Sequence, residues 1–321
     1  MRIALIALIV LVMLGGGGLL VGGFYLRSIE SGIERVKAFD DVPEESRPEK
    51  VTTATNILIL GSDTRDLENT SGSRSDTIIL AHIAADRQSA QLISIPRDTW
   101  VFVPPNRDGS LGGREAKINA AYAWGGISLM VQTVEEFTGV RIDNVALVDF
   151  AGFRAIIDAL GGVEIDVEHA FTSTHSLNPD GRRSFAAGPQ TMDGAAALDY
   201  ARERYAFADG DFARIRHQQQ VIKAILETAA SGGVLTSPGT LNSFIRATAD
   251  AVAVDETLSL LDFGMELRHL RGDDLTFVTS PTKGTGRVGD ESVVFADTES
   301  AKIFYDAVRR DAVAEIMAAI E

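Results

Sequence analysis

Three short apolar runs, Asn56 to Leu60, Thr77 to Ile83 and Ala90 to Ile95, constrain the fold more than any other part of the chain, because each reads as a strand. In an up-down-up meander, the end of the first strand, the start of the second and the end of the third lie on one sheet edge. Asp63 follows the first run, Asp76 precedes the second and Arg97 follows the third, so the three side chains are expected to meet. Two carboxylates suit a hard cation and a guanidinium suits an anionic oxygen, which is the chemistry of a metal-assisted phosphate site. Any one of these residues alone also suits a turn cap. Arg74, two residues before Asp76, and the text GSDTR after the first run weigh toward a shared site.

The rest of the composition excludes several classes. With 321 residues and 45% hydrophobic content the chain can bury a sizeable core. A formal charge of -15 argues against nucleic-acid binding, which needs a basic footprint. The absence of cysteine removes disulfides, thiolate metal sites and cysteine nucleophiles. Five histidines, His82, His169, His175, His217 and His269, have no metal-ligand spacing, so zinc is not expected.

Residues 3–26 are uncharged and long enough to cross a bilayer as a helix, with Arg2 before and Arg27 after them. A cleaved signal peptide is the alternative, but the run exceeds the usual ~7–15 apolar residues and no clear small-residue cleavage site follows. The reading is an uncleaved single-pass anchor over 1–27, a polar linker over 28–55 and an extracytoplasmic folded domain over 56–321. The stretch PPNRDGSLGGREAK reads as a loop, and Ile118 to Thr138 as a helix interrupted at Gly125 and Gly126. Val145 to Phe150 and Val163 to Val167 read as strands around a helix at Ala151 to Leu160, while His169 to Gln190 reads as a long surface loop. Asp193 caps a helix carrying AAALDYARER, and a second helix runs from Asp211 to about Ala230. Helices at Thr240 to Val252, Glu256 to Leu270 and Thr298 to Ile320 and a strand at Leu275 to Thr279 complete the pattern. It predicts an α/β fold with a mixed central β-sheet sandwiched by helices, preceded by one N-terminal transmembrane helix.

A second basic group lies in ARERYAFADGDFARIRHQQQ. Arg202 and Arg204 fall at the end of one helix, while Arg214, His217 and Gln218 share a face of the next. A solvated helix face is the alternative. Arginine in place of lysine throughout, close to a helix start, points instead to oxygens of a phosphate gripped in pairs.

The ordered motifs NILILGSDTR, GSRSDTIIL, SIPRDTWV, KINAAYAWGG, LVDFAGFRAIIDALGGVEIDV, MDGAAALDYARER and DFARIRHQQQ resemble the LytR-CpsA-Psr family of bacterial cell-envelope phosphotransferases, over about Asn56 to Ala230. The resemblance implies a membrane-bound enzyme that passes a glycopolymer from a polyprenyl pyrophosphate carrier to a peptidoglycan hydroxyl as a phosphodiester. Asp63 and Asp76 match the carboxylates associated with magnesium, for which manganese can substitute. Arg74, Arg97, Arg202, Arg204 and Arg214 match pyrophosphate-contacting arginines, Gln218 a polar residue of that site, and Lys117 and Asn119 a supporting motif. The chain departs from the pattern at Ala213, usually Gly, and at His217, usually Arg, with Arg216 as compensation or His217 as a source of pH sensitivity. A prenyl groove between sheet and helices is implied too, with Phe150, Phe153, Ile156, Ile157 and Leu160 as candidates and ordinary core as the alternative.

No cysteine or serine-histidine pairing offers a covalent nucleophile, so direct attack by the acceptor hydroxyl is the simpler route, with Asp98 or Asp211 as base. Two rivals stand beside transfer: hydrolysis of the same pyrophosphate, and lipid binding without turnover.

Overall fold

The computed structural model describes residues 30, 32–62, 75–174, 181–260, 263, 267, 270, 274–313 and 315–316. They fall into two compact units, one of Arg35–Leu147, Val254–Leu258 and Asp273–Glu321, the other of Met1–Glu34, Val148–Ala253 and Ser259–Gly272. The expected transmembrane helix lies outside the described residues. Among the described residues no helix is long and apolar enough to cross a membrane.

The first unit is organised by a mixed seven-stranded sheet. Its centre is the expected meander: β2 (Thr55–Ser62), β3 (Ser75–Ile83) and β4 (Ala90–Ile95), paired antiparallel in chain order. Ile57, Leu58, Ile59 and Leu60 are all fully buried, so β2 is covered on both faces, which explains a continuous apolar run where one solvated face would have given alternation. The expected strand at Leu275–Thr279, β13, lies parallel to β4 and makes the sheet mixed. On the other side of β2 the order runs through β7 (Asn144–Asp149) and β12 (Val252–Asp255) to β1 (Glu34–Val36).

Helix α1 (Ala120–Thr138) breaks at Gly125 and Gly126 as its sequence predicts. Gly126 has φ 62° and ψ -150°, a conformation that a side chain makes costly. Phe137 of α1 meets Tyr305 of α6 (Thr298–Arg309) edge to face at 5.7 Å.

Several expectations are corrected here. The polar stretch after Val103 closes a hairpin of β5 (Trp100–Val103) and β6 (Arg114–Lys117), whose one buried face needs only Val101, Val103 and Ala116. Val252 opens a strand and does not end a helix, because VAVD is buried throughout. Glycine-rich Thr282–Val288 (β14) pairs with Glu291–Ala296 (β15), a hairpin missed because Gly284 and Gly286 depress strand propensity. Helix α6 stops at Arg309, ahead of the expected Ile320, and Asp311 follows at φ 59°. There Asp311 accepts from the amide of Ala85 at 3.0 Å and meets His82 Nε2 at 2.9 Å, while His82 Nδ1 meets Asn56 at 2.8 Å. Burial holds the His82 pKa below its ordinary value against the pull of Asp311. Part of the 28–55 stretch read as a linker is folded: besides β1, Arg47 reaches buried Glu135 at 2.8 Å.

The second unit carries α2 (Phe150–Ala159), β8 (Val163–Val167), α3 (Gly194–Arg202), α4 (Asp211–Ala229) and α5 (Pro238–Ala251). Asp149 and Asp193 cap α2 and α3, accepting from Gly152 and Ala196 amides at 2.7 Å each. The expected loop His169 to Gln190 contains β9 (Phe171–Thr172), β10 (Ser184–Phe185) and the start of β11 (Gly188–Met192), with 175–180 outside the described residues. Polar outer faces hid these strands: β11 pairs with β8 yet buries only Met192. Most of the helix expected at Glu256 to Leu270 also lies outside the described residues.

Helices α2 and α5 touch at Gly152, where a Cβ would lie 2.4 Å from the Cβ of Ala251. Gly152→Ala is expected to destabilise the protein by about 1–3 kcal/mol, the usual cost of overpacking. Thermal unfolding checks this, with Gly239→Ala, which meets nothing within 4 Å, as the control.

Candidate active site

In the first unit the antiparallel register of β3 and β4 pairs Ile78 with Ile95. Asp76 and Arg97 each stand two residues outward from that pair, so strand geometry alone sets them opposite one another. The Arg97 guanidinium donates through Nη1 to Asp76 Oδ1. The expected meeting of the second and third members of the trio is therefore present. Asp63 and Arg74 lie outside the described residues.

A turn after Arg97 carries the site onward. Thr99 closes it, donating from Oγ1 to the Pro96 carbonyl at 2.6 Å, and the Asn119 amide donates to the Arg97 carbonyl at 3.2 Å. Asn119 is buried at the head of α1. Asp98, between them, places Oδ2 3.8 Å from Arg97 Nε and Oδ1 3.8 Å from Lys117 Nζ, and Lys117 also lies 3.4 Å from Glu291. An acid between two cations orients them, and that geometry suits Asp98 less well as a base than the sequence suggested.

In the second unit Arg202 ends α3 with its guanidinium 4.6 Å from the centre of the Phe150 ring, a cation–π contact. Arg204 stands two residues past the helix, against its neighbour Tyr205, 4.3 Å from the ring centre. Arg214 is buried and bonded to Asp211 one turn earlier on α4, which engages the second candidate base. Gln218, one turn further on, is buried as well. Phe153, Ile156 and Ile157 are fully buried in α2, as core residues are, and Phe150 is the half-buried member of that apolar set.

Glu203, between the two arginines of ARER, was missed by sequence reasoning. It is fully buried and accepts from the amides of Arg204, Tyr205 and Ala206 at 2.9, 2.8 and 3.1 Å and from the Thr174 hydroxyl at 2.9 Å. Burial raises its pKa, but hydrogen bonds from Thr174 and these amides together outweigh that and hold it below the ordinary value. The carboxylate thus fixes the loop that presents Arg204. A glutamate followed by a short stretch that could not continue a helix was the available signal. Asp199, also fully buried, pairs with Arg183 at 3.1 Å.

His217 packs among Phe171, Tyr200 and Phe207, with ring centres 5.6, 4.3 and 4.9 Å away. Burial is the main reason its pKa falls to about 4, despite a raising hydrogen bond at the Tyr200 backbone. It is therefore neutral at pH 7, neither replacing a lost arginine charge nor acting as a switch near neutrality.

The LytR_cpsA_psr family model matches residues 24–309, and the chain belongs to that family. It is 29% identical to the cell wall biosynthesis protein LcpA of Corynebacterium glutamicum over 78% of this chain, spanning 55% of that protein's length. It is 35% identical to the polyisoprenyl-teichoic acid–peptidoglycan teichoic acid transferase TagU of Bacillus cereus, over 70% of this chain and 73% of TagU. Among solved structures, B. subtilis TagV matches with a TM-score of 0.65 and 25% identity, over 82% of this chain and 98% of TagV.

The His217 assignment makes a signed prediction. Because the native pKa of about 4 lies below the ordinary 6.5, the neutral ring stabilises the fold fully above pH 6.5, and that contribution is lost as pH falls toward 4. Its size is on the order of 3 kcal/mol. His217→Phe keeps an aromatic ring and should flatten the fall in unfolding free energy between pH 6.5 and 4, measured by urea titration. A His217 titration midpoint above 6 by NMR would contradict the assignment.

Proposed function

We propose that this protein is a membrane-anchored, extracytoplasmic phosphotransferase that moves a glycopolymer from a polyprenyl pyrophosphate carrier to a peptidoglycan hydroxyl. The Arg97–Asp76 pair, set by strand register in a member of this family, is the observation that carries the reading. The activity that TagU's name states, transfer of teichoic acid from a polyisoprenyl carrier to peptidoglycan, supports the donor and acceptor classes.

Phosphoryl transfer asks the protein mainly for position and charge. Arg97 in the first unit would bind pyrophosphate oxygens through its guanidinium fork, and the resemblance gives the same role to Arg202, Arg204 and Arg214 of the second unit. Glu203 holds the Arg204 loop, and the Phe150 ring supports Arg202 from behind. The acceptor hydroxyl attacks the glycan-side phosphorus directly, the bridging P–O bond breaks, and the polyprenyl monophosphate leaves with the bridging oxygen, taking up the proton that the hydroxyl loses.

Magnesium is part of the proposal. Among the described residues no three acidic or histidine side chains group around a metal position. Asp76, partly exposed and held through one oxygen, still fits a cation that is usually held by one or two carboxylates together with substrate phosphates. Asp76, joined by Asp63, would hold it, and when bound it would neutralise pyrophosphate charge.

Arg97→Lys should reduce the transfer rate by about 10²–10³-fold, in line with loss of one preorganised donor to developing charge. Asp76→Asn should cause a similar loss that excess magnesium partly relieves. Transfer of radiolabelled glycan to peptidoglycan is the measurement, with exposed Arg287→Lys as control. Rates for Arg97→Lys equal to the control would sink the assignment, and free glycan phosphate as the sole product would favour hydrolysis.

A further inference from the structure

The chain has two tryptophans, and both line one cavity of about 360 Å³ in the first unit. That volume lies within the ~300–1,000 Å³ typical of small-molecule sites. Trp100 opens β5, while Trp124 stands on α1 just before the Gly125–Gly126 break. Trp100 is tethered through Nε1 to Glu115 at 3.1 Å, and the Arg114 guanidinium lies 4.9 Å from the centre of the Trp124 ring. Both indoles are half-buried, so each retains accessible surface.

The polar part of the lining narrows the ligand. Asp98, Lys117, Asn119 and Glu291 share the cavity, and Lys117 already lies 3.8 Å from Asp98 and 3.4 Å from Glu291. An anion entering here meets three acids, Asp98, Glu115 and Glu291, against a lysine beside two of them and an Arg114 guanidinium set over the Trp124 ring. A wholly apolar ligand would strip water from the same groups without replacing its hydrogen bonds. A neutral pyranose satisfies both sets, laying its face of C–H groups on an indole while its hydroxyl and amide groups meet carboxylates and the Asn119 amide.

We infer that the Trp100–Trp124 cavity is a sugar subsite for the peptidoglycan acceptor strand. Its Asp98 wall adjoins Arg97, so a sugar seated there has its hydroxyls near the anion-binding edge. This inference rests on the transfer reading for the identity of the sugar. Recognition of a pyranose by the cavity stands apart from turnover.

Intrinsic fluorescence of the full chain tests it, because every tryptophan signal comes from this cavity. The probes are a neutral tetrasaccharide of N-acetylglucosamine, the uncharged sugar of the acceptor strand, and inorganic pyrophosphate. The tetrasaccharide should shift emission saturably, and Trp124→Ala should weaken its binding about tenfold, equivalent to ~1.4 kcal/mol. Glu291→Gln, at an exposed position, should weaken it about threefold and serves if Trp124→Ala does not fold, binding then being read by Trp100 and Trp124 together. No saturable shift, or displacement of the saccharide by pyrophosphate, would overturn the subsite. In transfer assays Glu291→Gln should raise the acceptor KM and leave the donor KM unchanged; a rise in donor KM alone would assign the sugar to the donor and overturn the acceptor assignment. Saccharide binding by a protein without transfer activity would sink the proposed function and leave the sugar-binding cavity standing.

Discussion

The register of β3 on β4 is the constraint on which the first group of site residues depends. Sheet side chains alternate, so a slip of one residue would turn Asp76 and Arg97 to opposite faces and exchange the apolar side chains that these strands present to the two covered faces of the sheet. The Ile78–Ile95 and Leu80–Ile93 pairs oppose that slip, because all four residues are buried. The ion pair at the sheet edge adds little stability by itself, since both partners keep some exposure. Its position is therefore a product of the core, and the chemistry at the edge is specified by apolar residues that never touch it.

The second group is held differently, by acids buried beside arginines. Glu203 gathers successive backbone amides, and Asp211 and Asp199 each face an arginine. A buried carboxylate is costly unless its oxygens are satisfied, so removing one of these acids would do more than release its arginine. Such pairing also reconciles a formal charge of -15 with clusters of arginine. Asp211 thereby orients the Arg214 guanidinium, and Glu203 fixes the backbone that carries Arg204.

How much of this was legible in the sequence follows from the physics of each part. The meander, the glycine break in α1 and the capped starts of α2 and α3 were readable because periodicity and capping are local. Asp76 meeting Arg97 was readable because strand order is enough to place them. The β5–β6 and β8–β11 pairings were not, since each joins segments separated by a long polar stretch, and the β14–β15 hairpin was hidden by Gly284 and Gly286. Glu203 escaped notice for a related reason: its function is to accept backbone N–H groups, and a backbone amide has no letter in the sequence. His217 could be seen as a departure at its position, but its neutrality comes from burial among residues such as Phe171 and Phe207, which belong to the short strand β9 and a turn whose folding was not readable.

Pairing Arg97 and Arg214 with acids has a consequence for binding. Arg97 is engaged by Asp76 and Arg214 by Asp211, so an incoming phosphate exchanges one anionic partner for another and must offer more than a single carboxylate does. A pyrophosphate does so, with several oxygens that match guanidinium forks in pairs. A lone carboxylate or a chloride ion does not, which in the proposed reaction would give the arginines selectivity. In the proposed reaction the carboxylate released by that exchange would be left without its cation, and a hard divalent ion would suit the place of Arg97 on Asp76. In the proposed reaction, substrate and metal would therefore bind with positive coupling, each removing the penalty that the other creates. The coupling follows from Arg97 and Asp76 being partners in the unliganded protein, and that partnership follows in turn from two strands whose isoleucines can pack in one register only.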